Sequence, residues 1–143
     1  LDAVRPLLAA LGPAVHHLGP VGSGAWLKLS VNALFATQVA AMAEQLNLQR
    51  RAGVDPQRAL EALRAMPVLS PAAAGAGAWM SARNFALQAP VSLIAKDLAY
   101  ALSAGESRGA ALPVTASVKL RFDLAEAAGW GKENLVAVAR LHD

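Results

Sequence analysis

Cysteine is absent from the 143 residues. No disulfide, thiolate metal site or cysteine nucleophile can form without it, and such a chain fits a reducing compartment, so a cytoplasmic location is expected. Aromatic residues make up 5% and charged residues 16% of the sequence. With β-branched residues also sparse, a large sheet is disfavoured. Histidine occurs only as His16, His17 and His142. Neighbours on a short extended segment point to opposite faces, so His16 and His17 cannot readily share an ion, and no metal is expected. The formal net charge is +3, but the basic residues are scattered and only Arg50 and Arg51 are adjacent. A nucleic-acid partner needs a clustered stripe and is not expected. No basic segment followed by an apolar run opens the chain, so no secretory signal is read. One apolar stretch, residues 29–43, could be mistaken for a membrane span but is broken by Ser30, Asn32, Thr37 and Gln38. A membrane span needs about 20 predominantly apolar residues, so this stretch reads as a core helix. Glycine-rich dinucleotide and phosphate loops (GxGxxG, GxxxxGK[ST]) and the GxSxG elbow are also missing.

What the chain has is alanine, within a composition that is 55% hydrophobic. Alanine is the best helix former, and small side chains let helices approach closely, so the expected class is all-α. Residues 1–11 place Val4, Leu7, Leu8 and Leu11 on one helical face, and Gly12-Pro13 stops them. Residues 14–18 are extended in character. A helix and a short strand at this point suit the tail of an α/β unit, and a start at leucine suggests a piece of a longer chain. Gly19-Pro20-Val21-Gly22-Ser23-Gly24 is a connector, with Ser23 as a possible helix cap. Residues 25–52 then form one long helix of about 40 Å, apolar nearly all round and therefore expected to be a buried central element. Asp55-Pro56 and Ser70-Pro71 each pair a capping residue with a first-turn proline, starting helices that end near Ala65 and Met80. A loop over 81–90 precedes helices expected at 91–108, 113–128 and 132–141.

The chemically informative stretch is G-P-V-G-S-G-A-W-L-K-L-S-V-N, residues 19–32. The four-residue spacing stacks Lys28 and Asn32 on one face of the long helix. On an otherwise apolar helix such a pair is costly unless it faces a cleft or finds partners. For an isolated Lys/Asn pair the bland reading is a snorkelling lysine beside a locally bonded amide. Trp26, six residues before Asn32, reads either as a wall of the pocket or, more readily, as core.

The glycines shift that balance. The pattern GxxGxGxxxKxxxN resembles the signature of the β-hydroxyacid dehydrogenases, which include 3-hydroxyisobutyrate dehydrogenase. Ile94-Ala95-Lys96-Asp97-Leu98-Ala99 resembles a second motif of that family, and Lys96 follows Lys28 by 68 residues, a similar separation. The resemblance covers essentially the whole chain. It implies that residues 1–18 are the tail of an NAD(P)-binding Rossmann domain. Residues 19–143 would then be an all-helical C-terminal domain like that of 6-phosphogluconate dehydrogenase, serving substrate binding and dimerisation. It further implies that Lys28 is the catalytic lysine, exchanging a proton with the substrate oxygen at C3 during hydride transfer. A lysine suits such a task because its ammonium is a mobile donor whose proton affinity responds to its surroundings. Asn32, with the Gly22-Ser23-Gly24 turn, would hold the substrate, and Lys96 and Asp97 would lie at the cofactor. The implied cofactor is NAD or NADP, the substrate a small hydroxyacid or semialdehyde, and the assembly a homo-oligomer, dimer or tetramer. Where relatives often carry a phenylalanine before the second motif, this chain has Gln88-Ala89-Pro90, with Phe85 the nearest aromatic. A competing reading is a helical dimerisation module that kept the scaffold and lost the reaction. Lys28 and Asn32 together weigh against it.

Overall fold

The computed structural model describes residues 2–143. It is helical throughout, with a single isolated antiparallel bridge, Pro90 to Asn134, among the described residues. A 3-10 turn, Asp2–Val4, leads into α1 (Arg5–Ala9), and α2 (Ser23–Arg51) follows after a connector. Then come α3 (Pro56–Arg64), α4 (Pro71–Ser81), α5 (Val91–Glu106) and α6 (Pro113–Ala125). A π-helical turn, Glu126–Trp130, and a 3-10 segment, Leu135–His142, close the chain. No helix among the described residues is long and apolar enough to cross a membrane.

The start signals act as their chemistry requires. The Asp55 carboxylate accepts hydrogen bonds from the Gln57 and Arg58 amides at 3.0 Å, satisfying donors that the first turn of α3 leaves free. The Ser70 hydroxyl caps Ala73 at 3.2 Å and also donates to Gln38 Oε1 at 2.7 Å, which ties the start of α4 to α2. Asn134 is the buried polar residue of the core, and its bonding is satisfied. Its amide nitrogen donates to the Ala86 carbonyl at 3.0 Å, and its oxygen accepts from Val136 at 3.2 Å.

The long helix is the hub. It packs against α3, α4, α5, α6 and the final 3-10 segment. The expectation of burial along its whole length does not hold. Its buried residues are Ala36, Val39, Ala40, Met42, Ala43 and Leu46, all from the middle of the helix onward. Trp26, Leu27, Val31 and Leu34 remain exposed, because the helices that enclose the second half do not wrap the first. Trp26 is therefore not a core residue. Arg108 lies over its ring, 5.1 Å from the centroid.

Four other expectations change. Residues 14–18 form no strand, since a lone extended segment has no neighbour to supply its ladder bonds. The N-cap of α2 is Gly22, at φ 98°, and no side chain caps the helix, so Ser23 is its first residue rather than its cap. The sixth helix ends at Ala125 and passes into a π turn in which Gly129 adopts φ 92°. The last segment is 3-10 rather than α-helical. Residue 1, assigned to the first helix from sequence, lies outside the described residues.

Candidate functional site

Lys28 and Asn32 do share a face of α2, and that face meets α5 at Asp97. The Asn32 side-chain nitrogen donates to Asp97 Oδ2 at 2.6 Å, and Lys28 Nζ stands 3.6 Å from the same oxygen. Lys96 Nζ approaches the other carboxylate oxygen at 3.9 Å. Two segments 65 residues apart, each picked out by its own motif, thus meet at one carboxylate.

Exposure sorts the members of this cluster. The Asp97 side chain is 12% exposed, whereas that of Lys28 is 66% exposed and that of Lys96 52%. The anion forms the floor and the two ammonium groups stand at the rim. A largely buried carboxylate needs partners, and Asn32 with Lys28 provides them. Two lysines against one aspartate leave the cluster one positive charge in excess, which favours an anionic visitor. The bond from Asn32 also fixes its amide. With the nitrogen turned to Asp97, the carbonyl oxygen is left to accept from a group outside, such as a hydroxyl. Lys96 further lies 5.7 Å from the centroid of the Tyr100 ring, one turn along α5.

The arrangement can anchor a small acid through its net charge, accept a hydrogen bond from a hydroxyl at Asn32, and exchange a proton at Lys28.

Gly22, Ser23 and Gly24 lie at the start of α2. Ser23 precedes Lys28 by five residues, about 7.5 Å along the axis. They are therefore near the cluster without forming part of its bonded network. Space is open around a Cβ built on Gly22 or Gly24, and at Gly22 it is the left-handed backbone that calls for glycine. Phe85 does not join the cluster. It packs partly buried against the core, with Arg140 over its ring at 4.0 Å. Ala89, in the segment where relatives often carry an aromatic, accepts a backbone bond from Leu135 at 2.8 Å.

Sequence reasoning passed over two groupings. One is the stacking of Arg108 on Trp26 beside an apolar groove lined by Leu29, Ala33, Leu34 and Leu112. The other gathers Arg50, Arg83 and Arg140 with Asp143. No local motif marks either, because their members are distant in sequence.

Comparison with known proteins identifies the family. A family model described as NAD-binding of NADP-dependent 3-hydroxyisobutyrate dehydrogenase matches residues 22–142. The chain is 30% identical to 2-(hydroxymethyl)glutarate dehydrogenase of Eubacterium barkeri, over 98% of this chain and 47% of the relative. It is 29% identical to the chloroplastic glyoxylate/succinic semialdehyde reductase 2 of Arabidopsis thaliana, over 96% of this chain and 38% of that one. The chain thus spans about half or less of the length of these relatives. The crystal structure of a 3-hydroxyisobutyrate dehydrogenase from Salmonella typhimurium superposes with a TM-score of 0.92 at 23% identity, covering 98% of this chain and 50% of that one. That likeness establishes the fold: the chain superposes on about half of that structure. With the model spanning both the Lys28–Asn32 and the Lys96–Asp97 motifs, the chain belongs to the β-hydroxyacid dehydrogenase family.

Proposed function

We propose that this chain is the helical C-terminal half of an NAD(P)-dependent 3-hydroxyacid dehydrogenase and that Lys28 is its catalytic proton-transfer group. The observation that carries the proposal is the meeting of Lys28, Asn32 and Asp97 at one carboxylate oxygen, with Lys28 left reaching outward. Residues 1–18 are assigned to the tail of the preceding nucleotide-binding domain and residues 19–143 to the helical one. The nicotinamide, when bound, supplies or accepts the hydride at the substrate carbon.

The roles follow from the cluster's chemistry. The Lys28 ammonium donates a proton to the carbonyl oxygen of a small semialdehyde as that carbon is reduced. In the opposite direction the neutral amine takes the proton from the hydroxyl of a 3-hydroxyacid. Asn32, its nitrogen held by Asp97, offers its oxygen to the substrate hydroxyl. Asp97 is a positioning residue, because it fixes the amide and restrains the swing of the lysine. Lys96 sits at the cofactor side of the rim. The excess positive charge favours the substrate carboxylate.

A full-length protein carrying this chain should therefore oxidise short 3-hydroxyacids, or reduce the matching semialdehydes, with NAD(H) or NADP(H). Turnover of such a panel, followed by the absorbance of the reduced nicotinamide, tests the assignment. A full-length protein inactive across the panel with both cofactors would overturn it.

A further inference from the structure

A second polar site lies away from the Lys28 cluster, where the C-terminal ends of α2 and α4 meet the final 3-10 segment. A cavity of about 130 Å³ opens there, with Arg50, Arg83, Arg140 and Asp143 in its wall. The Asp143 carboxylate is gripped at both oxygens by Arg83, at 3.0 and 2.8 Å. Arg50 reaches the same carboxylate only loosely, at 3.5 Å, and makes its closer bond to Asn47 at 2.9 Å. Arg140 is fixed from two sides, by Glu133 at 2.9 Å and by the Phe85 ring beneath it.

Among the side chains, three guanidiniums thus face two carboxylates, Asp143 and Glu133, and one positive charge is left over. Without Asp143 the surplus would be two. A dianion placed between Arg83 and Arg50 would balance it, and planar guanidinium forks match phosphate oxygens as well as they match carboxylates. The cavity has room for such a group, since a water molecule claims about 30 Å³ of liquid. The ion pair that fills it now is easily exchanged. The Arg83, Arg50 and Asp143 side chains are 59%, 46% and 37% exposed, and exposed pairs contribute little net stability.

The backbone at Arg83 supplies an independent observation. Arg83 is the one non-glycine residue with positive φ among the described residues, at 50°. It follows α4 in the position where a helix ordinarily stops on glycine, and the bonds from Arg83 to the Met80 carbonyl and from Asn84 to the Trp79 carbonyl close that stop. Arginine there carries a backbone cost that glycine would not. Behind it the buried Ser81 hydroxyl, in the same cavity wall, has no hydrogen-bond partner among the described residues.

We propose that this cavity binds a small dianionic oxyanion, inorganic phosphate or the phosphate group of a monoester, which replaces the Asp143 side chain between Arg83 and Arg50. Asp143 acts as a tethered competitor that holds the site shut when the anion is scarce. The site is separate from the Lys28 cluster and independent of the reaction proposed for it.

The test is calorimetric titration of the full-length protein with inorganic phosphate, at ionic strength held constant with chloride. Saturable binding is expected. Asp143→Asn should lower the phosphate Kd by up to about fivefold, the most that removing a competing exposed ion pair can give. Arg83→Gly should abolish this binding while keeping its melting temperature in chloride near the parent value, because glycine suits that backbone. Lys28→Ala should leave the phosphate Kd unchanged. Glycerol phosphate, titrated alongside, separates the two sources of the anion: tighter binding than phosphate assigns the site to monoesters, and weaker binding assigns it to the free ion. A Kd unaltered by Arg83→Gly, binding lost in Lys28→Ala, or no saturable binding at all would overturn the proposal.

Discussion

Asp97 is an acceptor for one neighbour and a counter-ion for two, and its replacement separates these duties. Asp97→Asn keeps the shape but removes the charge and one good acceptor. A bond to a charged group is worth about 1.5–3 kcal/mol, so kcat/KM of the full-length enzyme should fall by roughly ten- to a hundredfold. Steady-state kinetics beside a melting curve would check this, and an unaltered kcat/KM would remove Asp97 from its positioning role. Asp143 makes a different prediction. The hydrogen bond from Arg83 holds its carboxyl below the usual carboxylate range, against an opposing effect of burial and with further help from the charges of Arg83, Arg50 and Arg140. A carboxyl depressed in the folded state stabilises above its unfolded value, and that contribution disappears as pH falls through the folded one. Asp143→Asn should therefore cost at most about 1 kcal/mol at neutral pH in chloride, and nothing once the pH lies well below about 4. Denaturant melts at both pH values decide it, and a deficit that persists in acid would show that the ion pair is not its source. At this scale the sequence was informative where motifs are local. Lys28 with Asn32 and Lys96 with Asp97 were each visible, whereas their junction and the arginine cluster depend on the fold. Trp26 was misread because an apolar pattern does not tell which part of a helix its neighbours cover.

The helices whose starts are written in adjacent residues were the most legible elements. Asp55-Pro56 and Ser70-Pro71 fix α3 and α4, since cap and proline act on the same turn. The ends of α6 and the final segment were less so. Their geometry rests on Gly129 at positive φ and on Asn134 bonding across to Phe85 and Ala86, contacts that no local pattern encodes. The corner between α5 and α6 depends on another glycine. A Cβ on Gly105 would sit 2.8 Å from the Ala110 carbonyl oxygen and 2.8 Å from Leu112 Cδ1. Backbone cannot give way as a side-chain tip can, so Gly105→Ala should destabilise by about 1–3 kcal/mol despite alanine's better helix propensity. A thermal melt measures this, and a variant as stable as the parent would mean that the corner is looser than its geometry suggests.

In the molecule as a whole, α2 does two jobs along one axis. Its second half is the buried hub, and its first half carries Lys28 and Asn32 beyond that core, where they meet Asp97 of α5. The all-α class was legible from alanine content and helix signals. The short strand expected at 14–18 was not realised, because strand formation needs neighbours that the described residues do not provide. With no nucleotide fold among those residues, the 143-residue chain by itself should show no NAD(P)H-dependent turnover, and detectable turnover by the purified chain would contradict the division of labour proposed here. The most direct test of the central claim is kcat of the full-length enzyme carrying Lys28→Ala, measured beside its melting temperature. The exposed lysine contributes little packing, so folding should be preserved while kcat falls by about 10²- to 10⁴-fold, the span of a lost proton-transfer group. A stable variant turning over at the parental rate would contradict the account.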